Sequence, residues 1–138
     1  MSDLRQFTGV AIAGRAVLIA GAPCVGKSSL ALALIDRGAM LVGDDGVALR
    51  VEDGRLLASP APVTQGLIEV RGVGLVPMPV ARDVPVSLLI RLTVEAPRYV
   101  EEAQREAVMG VCLPVVALWP EASALALRAE MALRLHGL

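Results

Sequence analysis

Residues 18 to 32, LIAGAPCVGKSSLAL, constrain this chain more than any other stretch. An apolar run leads into a loop carrying Gly21 and Gly26, and the loop opens on Lys27, Ser28 and a run of good helix formers, KSSLALALIDR. A strand that bends through glycines straight into a helix aims the first helical N–H groups, and the positive end of the helix dipole, at whatever occupies the bend. Gly21, Ala22, Pro23, Cys24, Val25, Gly26, Lys27 and Ser28 fit the pattern G-x-x-x-x-G-K-S. The glycines let the backbone turn tightly with its N–H groups inward, the lysine reaches β and γ phosphates, and the serine hydroxyl ligates magnesium. In a chain this short a chance match is on the order of one percent or less. The stretch from Gly21 to Ser29 is therefore expected to cradle the phosphates of a nucleotide.

The surrounding pattern predicts the frame. Residues 8 to 20, TGVAIAGRAVLIA, read as two strands around a Gly14-Arg15 turn, the second running into the glycine loop. A helix over Lys27 to Arg37 buries Leu30, Ala31 and Leu34 and stops at Gly38. AMLV at 39 to 42 follows as a buried strand. Strand, loop, helix and strand make a βαβ unit, whose right-handed crossover sets its two strands parallel and side by side.

Beyond it, VALRV, a turn at EDGR, LLAS, LIEV and VSLLIRLTV are strand-like and punctuated by Gly and Pro. The polar residues 97 to 107, PRYVEEAQREA, read as an exposed loop or short helix, and VCLPVVAL as a last strand. EASALALRAEMALRLH, with Leu125, Leu127, Met131, Leu133 and Leu135 at helical spacing, reads as an amphipathic C-terminal helix. The expected fold is α/β: a mixed, β-rich sheet around one βαβ unit, in a single domain over residues 1–138.

Composition narrows the function classes. Thirteen basic and 14 acidic residues give a net charge of −1 without a basic stripe, and one Phe, one Tyr and one Trp leave little to stack bases on. A nucleic-acid partner is not expected. No apolar run reaches the roughly 20 residues that span a bilayer, and MSDLRQFTG lacks a basic and then apolar leader, so a soluble cytoplasmic protein is expected. Apolar residues still make up 55% of the chain, which favours burial between subunits of a homo-oligomer. Cys24 and Cys112 suit neither a zinc site nor a disulfide framework and read as reduced thiols.

Two further constellations carry chemistry. Asp44 and Asp45 directly follow the AMLV strand, and ligands of open α/β sheets sit at such carboxyl ends. One carboxylate there can hold magnesium, and the other can take a proton from an attacking hydroxyl. In GLIEVRGVGLV, residues 66 to 76, Glu69 and Arg71 share one face of a strand, and Gly72 and Gly74 allow a close approach.

The loop Gly21 to Ser28, the LIDRGAMLVGDD that follows and the segment IEVRGVGLV together resemble the catalytic domain of HPr kinase/phosphorylase, in its short α-proteobacterial form. The likeness extends over GRAVLIAG and GVCLPVVAL and so over almost the whole chain. It implies a P-loop kinase-like fold, ATP with Mg2+, and transfer of the γ-phosphoryl group to a serine of an HPr-like phosphocarrier in phosphotransferase-system regulation, in many members reversed with inorganic phosphate. Carried over residue by residue, it implies that residues 21 to 29 hold the nucleotide and that Ser28, Asp44 and Glu69 surround the magnesium. Asp45 or Asp44 would be the base, with Glu69 and Arg71 in the catalytic group. The pattern departs at two places: Gln6 stands where the family has a His, and Ser29 where it has an acid. Both replacements remove titratable groups, and a slow kinase, a nucleotide-binding sensor and a kinase of a small-molecule hydroxyl all stay open. His136, near the end of the last helix, is expected to be solvated rather than catalytic.

Overall fold

The computed structural model describes residues 2–138. Its elements run β1 Asp3–Arg5, β2 Thr8–Ile12, β3 Arg15–Gly21, α1 Lys27–Asp36, β4 Met40–Gly43, β5 Val47–Glu52, β6 Arg55–Pro60, β7 Leu67–Val70, β8 Gly74–Pro77, β9 Val84–Leu92, β10 Gln104–Val108, β11 Val111–Leu118 and α2 Leu125–His136. The main sheet has the order β1-β5-β6-β9-β3-β2-β4, with the β10–β11 hairpin joined to β9, while β7 and β8 form a separate two-stranded sheet. The central strands β3 and β9 run parallel, with Gly21 opposite Leu92 at the end where the glycine loop begins.

Alternation along the strands assigns two cores. Val10, Val17, Ile19, Leu88, Ile90 and Val116 pack under Leu30, Ala31 and Leu34 of α1 and Ala129, Ala132 and Leu133 of α2. On the other face Leu18, Leu49, Leu56, Leu89 and Leu113 form a second cluster. Because β3 is buried on both faces, RAVLIAG reads as a continuous apolar run. Among the described residues no helix is long and apolar enough to cross a membrane.

The βαβ expectation needs one correction. β3 and β4 do run parallel, but they are not neighbours: each pairs antiparallel with β2, Val10 lying opposite both Val17 and Leu41. The hairpin that precedes the helix places its first strand in the gap, so the acidic pair follows a strand one removed from the loop strand. That hairpin turns at Ala13 and Gly14, both at positive φ, rather than at Gly14-Arg15.

Residues 104–108 are an edge strand, not loop or helix. They pair antiparallel with β11 across Met109-Gly110, again two positive-φ residues, and Glu106 takes a two-oxygen hydrogen bond from Arg91 Nη2. A strand paired on one side only stays polar, which hides it from an apolar-run reading. In α2 Ala129, Ala132 and Leu133 are buried, while Leu127, Met131 and Leu135 are 39%, 49% and 76% exposed. Close packing on the sheet and α1 suits two alanines beside one leucine, and Leu127, Met131 and Leu135 are left outside.

Candidate functional site

The loop from β3 to α1 owes its shape to three backbone facts. A Cβ on Gly21 would stand 2.8 Å from Val25 Cγ1 and 3.0 Å from the Leu92 carbonyl oxygen, so no side chain fits where the loop leaves the sheet. Gly26 takes φ 115° just before the helix, and Cys24 takes φ 64°. The Val25 N–H closes the bend on the Ala22 carbonyl at 3.2 Å, and Lys27 folds back so that its Nζ donates to the Gly21 carbonyl at 2.9 Å.

The acidic pair sits in an equally tight turn. β4 ends at Gly43, where a Cβ would collide with the Gly46 carbonyl oxygen, and Asp45 adopts φ 56°. Within this turn the two acids are treated differently. Asp44 is half-buried, and its Oδ1 accepts the Ser28 hydroxyl at 2.6 Å and the Thr8 hydroxyl at 3.4 Å. Its Oδ2 accepts the Glu69 N–H at 2.8 Å. Asp45 is exposed: its N–H donates to Thr8 Oγ1 at 3.1 Å, and among the described residues nothing hydrogen-bonds its carboxylate.

The β7–β8 hairpin closes the site from the side. Ile68 is buried in the helix-side core, which fixes the hairpin over α1. Glu69 lies in β7, but Arg71 lies past its end, in the turn that the Val73 N–H closes on the Val70 carbonyl at 2.9 Å. The two therefore do not share one strand face. Gly72 and Gly74, both at positive φ, shape this turn.

These elements enclose an open cavity of about 480 Å³. Gly21, Pro23, Cys24, Gly26, Lys27, Ser28, Ser29, Asp44, Asp45, Glu69 and Arg71 all line it, so of the site residues read from sequence only Ala22 and Val25 do not. Gln6 lines it as well. Thr8 also lines the cavity, and it is a position that sequence reasoning missed. Its only signal is a lone hydroxyl at the head of an apolar strand, and what makes it matter is a turn 36 residues away. His136 does not line the cavity. Cys24 and Cys112 are free and exposed.

A glycine loop running from a central strand of a mixed sheet into a helix, with its serine bonded to a carboxylate just past the end of a parallel strand one removed, defines a P-loop kinase-like fold. The chain belongs to the HPr Serine kinase C-terminal domain family, whose model matches residues 4–115. Among curated proteins it is similar to the HPr kinase/phosphorylase of Clostridium botulinum (strain Eklund 17B / Type B), 45% identical over 67 residues that make up 49% of this chain and 22% of that protein. The HPr kinase/phosphorylase of Clostridium novyi (strain NT) is 38% identical over 93 residues, 67% of this chain and 30% of that one. The chain thus spans less than a third of these relatives' length. Among solved structures, the Hpr(Ser) kinase/phosphatase from Coxiella burnetii superposes with a TM-score of 0.84 at 30% identity, covering 96% of this chain and 88% of the other.

Proposed function

We propose that this chain is an ATP-dependent kinase that phosphorylates a serine of an HPr-like phosphocarrier protein, with Mg2+ as cofactor. The observation that carries this reading is the division of labour in the acidic pair: Asp44 is joined to the loop serine at 2.6 Å, while Asp45 offers an unbonded carboxylate to the same cavity.

In this reading the loop N–H groups from residues 21 to 29 and Lys27 hold the phosphates, Lys27 exchanging the Gly21 carbonyl for phosphate oxygens. Ser28 Oγ and the Asp44 carboxylate are hard oxygen donors, the few that magnesium takes from a protein when phosphates and water complete its shell, and Glu69, which also lines the cavity, would join them. Bound there, the ion would neutralise charge on the phosphates. Asp45 accepts the proton of the acceptor serine as its oxygen forms the new bond to the γ phosphorus and the bond to the ADP oxygen breaks. Arg71 faces the charge carried by the transferred group. Phosphorolysis would need the same carboxylate protonated, to return that proton to the leaving serine.

Gln6 and Ser29, both cavity-lining and uncharged, support a slow version of this chemistry. An assembly of copies belongs to the same reading, supported by the exposed Leu127, Met131 and Leu135 on α2. The test is ATP labelled at the γ position, incubated with magnesium and the cognate carrier. A phosphoserine on the carrier is expected. Label on a metabolite instead points to a small-molecule kinase, and tight nucleotide binding with no transfer points to a sensor.

A further inference from the structure

Among the described residues, Thr8 is the one whose side chain hydrogen-bonds both acids of the turn. It opens β2 opposite Ile19 of β3 and is fully buried, on the strand side whose next member is Val10. Its oxygen accepts the Asp45 N–H at 3.1 Å, and its proton points to Asp44 Oδ1 at 3.4 Å, an oxygen it shares with the Ser28 hydroxyl at 2.6 Å. A hydroxyl both donates and accepts through one atom, so a small uncharged side chain can serve an amide and a carboxylate together.

Asp45 holds φ 56°, the left-handed region that aspartate enters more readily than most residues but that still costs energy, and the bond from its N–H to Thr8 helps to hold it there. Gly43 makes the turn sterically feasible, since a Cβ there would meet the Gly46 carbonyl. It does not choose which acid faces which way. The two bonds of Thr8 do: one pins the Asp45 backbone inward, which sends its side chain out to the cavity, and the other supports Asp44 on the side of Ser28.

We propose that Thr8 is a positioning residue for phosphoryl transfer, its hydroxyl setting the turn so that Asp44 faces the loop serine and Asp45 faces the acceptor. This deepens the kinase reading given above and rests on it. Phosphoryl transfer depends on near-attack geometry, and a displacement of about 1 Å at the base costs on the order of a hundredfold in rate.

The test compares Thr8→Val, which keeps the shape and removes the hydroxyl, with Thr8→Ser, which keeps the hydroxyl and removes the methyl. Thr8→Val is expected to lower kcat by roughly 10- to 100-fold while the KM for ATP moves by less than about threefold, and Thr8→Ser to keep most of the wild-type kcat. A second readout does not involve turnover: the Asp45 amide should exchange its hydrogen slowly in wild type and in Thr8→Ser, and fast in Thr8→Val. Wild-type kcat in Thr8→Val, a Thr8→Ser as slow as Thr8→Val, or equally slow Asp45 exchange in all three would each overturn the proposal. Should Thr8→Val not fold, Thr8→Ala, which adds no atom to the core, is read by the same criteria. A wild-type chain that phosphorylates no acceptor sinks the kinase reading and the catalytic role of Thr8 with it, whereas the exchange comparison decides separately whether Thr8 holds the turn.

Discussion

Ser28 Oγ donates to Asp44 Oδ1 across 2.6 Å, tying the first turn of α1 to the end of β4. The two residues are 16 apart in sequence, and the helix between them supplies the separation. The bond aligns the loop and the acidic turn on one cavity, so variants in this region sort by which side of it they touch.

Lys27 lies on the loop side. Magnesium and ATP at about a hundredfold excess over Kd should stabilise the wild type by about 2.7 kcal/mol through mass action. Lys27→Ala should lose most of that shift while melting close to wild type without ligand, because among the described residues its side chain hydrogen-bonds only the Gly21 carbonyl. Thermal unfolding with and without nucleotide measures both, and an undiminished shift in the variant would place the nucleotide elsewhere.

The acids should separate cleanly. Asp45→Asn is expected to cut phosphoryl transfer by at least about a hundredfold, the scale of losing a general base, with nucleotide affinity retained. Asp44→Asn should instead weaken the binding of ATP with magnesium, since it alters the partner of Ser28. Isothermal titration beside a transfer assay distinguishes these patterns, and an unfolded Asp45→Asn would make the pair structural.

Gln6 sets the expected speed. It lines the cavity near the acidic turn, and an amide donates a hydrogen bond without ever changing its charge. Forward transfer should be slow and phosphorolysis slower still. Gln6→His should raise both rates and move the pH optimum; brisk wild-type turnover in both directions would show that position 6 does not stand in for the family histidine.

Acid stability should carry a small signature of the Arg50–Asp83 pair, which does not line the cavity. Hydrogen bonds from the Arg50 guanidinium and then the Ser59 hydroxyl hold the Asp83 carboxyl below its ordinary range. A carboxyl lowered in the folded state stabilises above its unfolded pKa and loses that contribution as pH falls through its folded value, so the loss belongs below about pH 4. Arg50 is raised by Glu52 and Asp83, and its contribution persists to strongly alkaline pH. Melting temperatures of wild type and Asp83→Asn should therefore converge as pH drops below about 4, with a modest gap above it because both side chains face solvent. A gap that widens on acidification would contradict this assignment.

Much of this arrangement was legible in the residues. The loop, α1 and its buried Leu30, Ala31 and Leu34 follow from local spacing, and so do most strands. What escaped depends on partners far along the chain. Nothing local says that β2 lies between β3 and β4, because pairing is a choice among strands. QREAV looks polar because its strand sits at an edge, and in α2 the leucine spacing finds the helix and the buried Leu133 but not the two alanines, Ala129 and Ala132, that pack beside it. The acidic pair was readable as a pair, but its asymmetry was not: Thr8, Ser28 and the Glu69 amide arrive from three different elements.

The Glu69 amide on Asp44 Oδ2 gives that carboxylate a second office. One oxygen faces the loop serine, and the other is the peg from which the β7–β8 hairpin hangs beside the cavity. Any ligand that competes for Oδ2 does so against the Glu69 N–H, and linkage makes that contest reciprocal: the hydrogen bond disfavours the ligand by as much as the ligand disfavours the hydrogen bond, while Ile68 in the core keeps the hairpin seated. Arg71 stands on the turn of the same hairpin, so the inner end of the cavity and its outer rim are joined through one short piece of chain.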